Sequence, residues 1–414
     1  MVGVLWEQGY GGYLVGGGVR DALLGLPVSD WDIATDARPE RILQVFPGSS
    51  YQNRFGTVLA RGLEITTFRR DHRYADHRRP DTVTFSQDIF EDLARRDLTI
   101  NAIAWGRRGP DAAARIVDPA DGQGDLEARL VRAVGDPARR FDEDALRLLR
   151  AVRIAAKLDF AIEPVTRAAM VAHAADVEWV SEDRIGREVR QMLTAPNPSR
   201  AIGLMAETGI LATALPELDR LPVAELARTL AILDQVAADH PGDERLTLAA
   251  LFGALEPEAA RSVLLRLRLS TREAEAVGAL VGAATEDYEP GWTDADVRRY
   301  MGRVPAELLP QLLQLRASRA ASSVEDDPEA SERAAQLAER VARQQAAASP
   351  LSLAQLAVDG RDLRETLGVP EGPLIGAILE QLLGDVIEEP SLNTRMTLLT
   401  RASLILDRLM QRSG

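Results

Sequence analysis

Apolar positions along this chain recur with two different periods, and the change between them falls near residue 135. Up to there the pattern is short and β-rich, in "GYLVGG", "SDWDIAT", "GTVLARGLEITTF", "DTVTF" and "ARIVD". Helical pieces such as "VRDALLG" and "PERILQVF" lie between these runs. Past residue 140 the apolar residues return every three or four positions, the spacing that lines one face of a helix. This holds through "FDEDALRLLRAVRIAAKL", "VTRAAMVAHAADV", "SEDRIGREVRQMLT" and "PSRAIGLMAETGILATAL". Residues 321 to 350 are polar, Ala-rich and charged, and read as an exposed helix or a linker. Beyond them Gly and Pro break the chain into short helices. The pattern predicts an α/β head followed by a long helical remainder.

With 414 residues the chain has room for two to four domains. Its 46% hydrophobic and 27% charged content is that of a globular protein. No apolar run approaches the roughly 18 residues of a membrane span. Met1 leads almost at once into the Gly-rich segment, which leaves no room for a secretion signal, so the cytoplasm is expected. With no cysteine, disulfides and Cys-bound zinc are excluded. Four scattered histidines (His72, His77, His173, His240) argue against a His-rich metal site, leaving a carboxylate-bound hard cation. The net charge of −14 speaks against a nucleic-acid partner only on average. Arginines crowd residues 69–108 and 129–157, which suits a basic cleft beside an acidic surface.

In "PVSDWDIAT" (27–35) strand alternation points Asp30 and Asp32 one way, and Trp31 and Ile33 the other. Two like charges side by side ask for a cation between them, although a solvated strand edge accounts for the same residues. A magnesium ion held by two carboxylates, phosphate oxygens and water fits the pair. A third acid on a neighbouring strand would allow two metals roughly 4 Å apart. Glu64 in "GLEITTFRR" fits that place, or serves as an edge charge against aggregation. The turn "LVGGGVRDALLG" (14–25) lacks both the P-loop and the dinucleotide pattern. By itself it is a tight strand-to-helix connection; Arg20, suited to phosphate, raises the case for an anion there. In "ARRDLTINAIAW" (94–105), Arg95, Arg96, Asp97 and Asn101 are placed at a helix start. Asp97 and Asn101, four apart on one face, could hold ribose hydroxyls, or Asp97 could cap the helix.

The stretch "RRFDEDALRLLRAVRIAAKLDF" (139–160) puts Asp144 beside Arg147, with Arg150, Arg153 and Lys157 further along the same flank of one helix. A carboxylate accepts hydrogen bonds and a guanidinium donates them. Cytosine and adenine each present an amino donor beside a ring-nitrogen acceptor and can dock on the pair. Uracil and guanine would turn a carbonyl oxygen toward the carboxylate. One acid and one base can therefore admit C and A and refuse U and G. A helix-dipole acid and a solvated arginine face would explain the same residues without any ligand.

Taken together these strings resemble the class II tRNA nucleotidyltransferases (CCA-adding enzymes), whose head belongs to the DNA polymerase beta superfamily. "YLVGGGVRDALLGLPVSDWDIAT" is similar to the family's metal motif, "RRDLTINA" to its ribose motif and "EDALR" to its nucleotide-selecting motif. "DPADGQGDLEARLVRAVGDP" and "SEDRIGREV" are similar to its hinge and helix-stabilising segments, and the likeness runs over about residues 10 to 220. The resemblance implies an α+β fold: a polymerase-beta-like head with a small mixed sheet over 1–135, a neck over 136–195, a body over 196–320 and a tail over 321–414. It implies Mg²⁺ on Asp30 and Asp32 with Glu64 as third carboxylate. Gly16, Gly17 and Arg20 would meet the triphosphate and Asp97 and Asn101 the sugar, with Arg96 among the nucleotide-binding residues. Asp144 and Arg147 would read the base, supported by Arg150 and Arg153. The partners implied are CTP and ATP as substrates and the acceptor and TψC region of tRNA, with no membrane. Relatives that add only A, or only CC, remain alternatives. "YQNRFGTVLARG" sets the chain apart from the poly(A) polymerases, and a full-length loop containing "DHRRPD" from the CC-adding enzymes. "HPGDERLTLAALFGALEP" lacks the His-Asp pair of some relatives, so no metal-dependent phosphatase activity is expected. The run ahead of "GYLVGG" is short for the family, as if its first helix were truncated.

Overall fold

The computed structural model describes residues 1–53, 56–72, 82–323 and 327–412. The loop containing "DHRRPD" lies outside the described residues. The chain divides into two compact units, Met1–Leu226 with Arg266–Arg268, and Ala227–Leu265 with Leu269–Gly414.

The first unit is built on strands β1 (Gly11–Val15), β2 (Asp32–Thr35), β3 (Ser50–Asn53), β4 (Thr57–Ala60), β5 (Leu63–Thr67), β8 (Ala104–Arg108) and β9 (Arg115–Val117). They form one mixed sheet in the order β3-β4-β5-β2-β1-β8-β9, with β6 (Arg69–His72) and β7 (Thr82–Phe85) paired separately. Only β2 and β5 run parallel in that sheet, the other neighbours being antiparallel. Alternation along β2 sends Ile33 into one core, with Leu5, Ile42, Phe46 and Ile65. Ala34 goes into the other, with Tyr13, Val15, Phe68 and Leu93. Helices α1 (Val2–Glu7), α2 (Gly17–Leu23), α3 (Pro39–Val45), α4 (Ile89–Ala94) and α5 (Gly122–Glu127) accompany the sheet. The helical neck follows as α6 (Pro137–Glu143), α7 (Leu146–Leu158), α8 (Pro164–Ala172) and α9 (Glu182–Met192). Leu148, Leu149, Val152 and Ile154 of α7 are buried, and α7 packs against α9.

Three local expectations change. β2 begins at Asp32, so Asp30 stands outside the strand. Its would-be partner is missing because β1 ends at Val15, opposite Asp32, and the chain then turns at Gly16. The segment after Asp97 is a single 3₁₀ turn, Thr99–Asn101, followed by β8. The end of the stretch expected to be helical, Ala104 and Trp105, instead starts the strand paired to β1. Asp144 and Arg147 do not share one continuous helix. Asp144 has extended backbone and ends α6, and its side chain receives the Leu146 N–H at the start of α7.

The second unit is helical. Residues 330–346, read from sequence as an exposed helix or linker, form the helix Ala330–Ala346, which buries Leu337, Val341 and Gln344. It packs on Leu309–Ser322 and Asp294–Met301. Among the C-terminal helices Leu363, Ile378, Leu382, Val386, Leu398 and Ala402 form a separate core. Among the described residues no helix is long and apolar enough to cross a membrane.

Candidate active site

A cavity of about 330 Å³ opens in the first unit, where the end of the sheet meets the neck. Asp32, Glu64, Asp97, Asp144, Arg147 and Arg184 are among the side chains on its wall. Register explains the first pair: β2 and β5 run parallel with Asp32 opposite Glu64, so both project on the same face. Burial of its surroundings in the cleft raises the Asp32 pKa above the ordinary carboxylate value. Arg96 opposes the rise and the nearby charge of Asp30 adds to it. Asp30 itself is exposed and does not line the cavity. It is nevertheless fixed beside the strand end, because α2 packs directly on its backbone. A Cβ at Gly18 would stand 2.7 Å from the Asp30 carbonyl oxygen.

Gly16 has φ +75°, in the left-handed region, and a Cβ there would lie 3.1 Å from Nη1 of Arg96 and 3.4 Å from Oδ2 of Asp32. Glycine thus lets the backbone approach a guanidinium and a carboxylate together. Arg96 also donates to Asp92 at 3.3 Å, while its buried Nε meets no acceptor.

Behind this rim lies a closed polar chain. Arg20 is 4% exposed and donates to Asp21 at 2.8 Å and to the Asn101 side-chain oxygen at 2.7 Å. Asn101 donates to Asp97 at 3.3 Å, and Arg150 donates to the other Asp97 oxygen at 2.6 Å. Burial alone would raise Asp97. Arg150, Arg147 and the Asn101 amide outweigh it and hold Asp97 well below the usual carboxylate range. Asp97 in turn raises Arg150, against the effect of burial. Further along α7, Arg153 donates to Glu188 at 2.7 Å. The structure therefore brings Asp32, Glu64, Arg96, Asp97, Asp144, Arg147 and Arg150 to one cavity. Gly16, Gly17, Arg20, Asn101 and Arg153 are not on its wall.

At the neck side both oxygens of Asp144 are engaged: Oδ1 accepts from Leu146 N–H at 3.1 Å, and Oδ2 from Arg184 Nη2 at 2.8 Å. Arg147 donates to Glu143 at 2.8 Å and to the carbonyl oxygens of Arg140 and Arg95, both at 3.2 Å. Arg184 escaped residue-level reading of the sequence. Its signal was the charged, strongly amphipathic α9, whose partner across the fold no local pattern reveals.

The donor set suits magnesium rather than a protein-made cage. Among the described residues no group of three or more acidic or imidazole side chains converges on one point. Magnesium needs only one or two carboxylates when phosphate oxygens and water complete its octahedron. Asp32 and Glu64, with Asp30 adding negative charge, meet that requirement.

The sequence and fold have known counterparts. Residues 12–132 match the family model described as "Poly A polymerase head domain", and residues 159–221 "Probable RNA and SrmB- binding site of polymerase A". Residues 240–402 match "tRNA nucleotidyltransferase domain 2 putative". A CCA-adding enzyme from Geobacillus stearothermophilus is 34% identical over 390 residues, covering 92% of this chain and 90% of the relative. One from Limosilactobacillus fermentum is 46% identical over 207 residues, about half of either chain (49% and 50%). Among solved structures, the Bacillus stearothermophilus CCA-adding enzyme in complex with CTP superposes with a TM-score of 0.75 at 30% identity, covering 100% of this chain and 97% of that one.

Proposed function

Because the chain belongs to the CCA-adding enzymes, a family of tRNA nucleotidyltransferases, we propose that it adds C, C and A to tRNA 3′ ends without a nucleic-acid template. CTP and ATP are the substrates, and pyrophosphate is released. The observation that carries the proposal is the register pair Asp32–Glu64 in one cavity with Asp144 and Arg147. Acids for phosphoryl transfer and a donor–acceptor pair for a base there lie within reach of one nucleotide.

Asp30, Asp32 and Glu64 would hold Mg²⁺, which when bound supplies charge neutralisation and Lewis-acid chemistry at the reacting phosphate. The backbone at Gly16 and Gly17 and the guanidinium of Arg96 face the triphosphate, with Arg20 bracing this wall from inside. Asp97 accepts from the ribose, oriented by Asn101 and Arg150. Asp144 accepts the amino group of cytosine or adenine, and Arg147 donates to the neighbouring ring nitrogen. Arg153 acts at a distance through Glu188. The 3′-OH of the tRNA attacks the α-phosphate, and the bond to the departing pyrophosphate breaks. In this reading residues 1–135 carry the chemistry and 136–195 select the nucleotide. The body (196–320) and tail (321–414) hold the acceptor and TψC region, and the compartment is the cytoplasm.

The test supplies tRNAs lacking the last three, two or one nucleotides with CTP, ATP, UTP or GTP, singly and in pairs. Incorporation of C, C and then A, with UTP and GTP refused, is expected. Addition of A alone to the CC-ending tRNA would replace the proposal by the A-adding activity, and incorporation into none would overturn it.

A further inference from the structure

The second unit contains its own cavity of about 420 Å³. Arg228, Arg316, Arg319 and Arg333 line it together with Asp287 and Asp327. Among the described residues, four guanidiniums and two carboxylates line it, in a protein whose overall charge is −14. Arg333 and Arg316 differ in what they meet. Arg333 is neutralised, by Asp327 and by Glu329 at 3.5 Å. Arg316 donates to the carbonyl oxygen of Glu286 and lies 5.5 Å over the Tyr300 ring. Both partners are neutral, and its buried Nε meets no acceptor.

Arg319 is the central observation. Among the described residues its guanidinium has no hydrogen-bond or ion-pair partner. It is seated against the backbone turn at Gly253, where a Cβ would come within 3.3 Å of its Nη1. Burial lowers its pKa, and the charges of Arg316 and Arg228 lower it further, with Asp287 only partly opposing. A half-buried guanidinium without an acceptor costs free energy that an anion in the cavity would return. A guanidinium fork matches tetrahedral oxyanions in two places at once, and several forks around one cavity need more oxygens than a single carboxylate offers. The volume suits a small phosphorylated ligand.

We propose that this cavity is a second anion site, which binds a phosphate group through Arg319 and Arg316, with Arg228 at its exposed rim. The phosphate comes either from a free ion such as pyrophosphate or from the backbone of a bound RNA strand. Only the second source rests on the tRNA reading.

The experiment follows hydrogen exchange peptide by peptide on the full chain, with and without inorganic phosphate, pyrophosphate or tRNA. Phosphate at ten times its Kd is expected to slow exchange of peptides covering 284–288 and 316–323 by about tenfold where they open with loss of the ligand. Arg319→Gln abolishes the effect and Arg228→Gln, on the exposed rim, weakens it, so the result survives even if one variant folds poorly. Protection by free phosphate or pyrophosphate identifies a small-ion site; protection by tRNA alone identifies a strand phosphate. No protection with any of the three probes in the parent protein, or full protection in Arg319→Gln, overturns the proposal. Nucleotide incorporation, measured in parallel, tests the head separately: protection without incorporation would sink the tRNA reading and leave this site standing.

Discussion

Two acids on the wall of one cavity have opposite electrostatics. Asp97 is buried, accepts from Arg150, Asn101 and a backbone N–H, and is held far toward its charged form. Asp32 has a raised pKa, with Asp30 beside it and Glu64 as register partner. The first acid is satisfied by the protein. The second has its charged form disfavoured by desolvation and by Asp30, against the pull of Arg96 and Arg150. On the proposed reading, the difference separates an acid that builds the site from one that acts in it, since a fold keeps like charges close only at a cost.

The largest expected effect falls on the second acid. Asp32→Asn should reduce nucleotide incorporation about a thousandfold. Its thermal midpoint should stay level or rise, because the change removes a charge that the fold disfavours, including its repulsion with Asp30. A large loss of stability with Asp32→Asn would erase the contrast. Asp97→Ala should behave in the opposite sense. It strands Arg150 and should cost about 2–3 kcal/mol in urea unfolding, below the full value for a broken buried pair because Arg150 keeps a third of its side chain in water.

Base choice should move less. Arg147→Ala is expected to narrow the preference for CTP and ATP over UTP and GTP by about tenfold to a hundredfold, with Mg²⁺ dependence unchanged. Discrimination as strong as in the parent protein would remove Arg147 from the reading of the base. The smallest effect is on acid stability. Asp97 has a depressed folded pKa, so its stabilisation is fully present above the ordinary aspartate value of about 3.9 and disappears as pH falls through the depressed one. Asp97→Asn should therefore show a flatter loss of stability below about pH 4, with no change in slope between there and neutrality.

Much of this was legible along the chain. The alternation in "GYLVGG" and "DIAT" became β1 and β2, and the helical period of "LRLLRAVRIAAKL" became α7 with its buried apolar face. The pattern also put Glu64 within a strand, and the fold pairs that strand with β2. What escaped were features that depend on a partner distant in sequence. Strand β8 was hidden in an apolar run whose β1 partner lies about ninety residues earlier. Arg184 reaches Asp144 across forty residues. Arg20 is an exposed-looking arginine in sequence, and only the approach of Asn101, 81 residues on, explains its burial.

The sequence by itself determined which residue types were available and the local periods that shape them: acids beside a glycine turn, arginines along one flank, and strands giving way to helices. The tertiary structure alone decided which of those charges are neutralised. Periodicity acts over a few residues, whereas the pairing of Asp97 with Arg150 and, among the described residues, the lack of a partner for Arg319 arise from packing between distant segments, where burial and Coulomb energy are settled together.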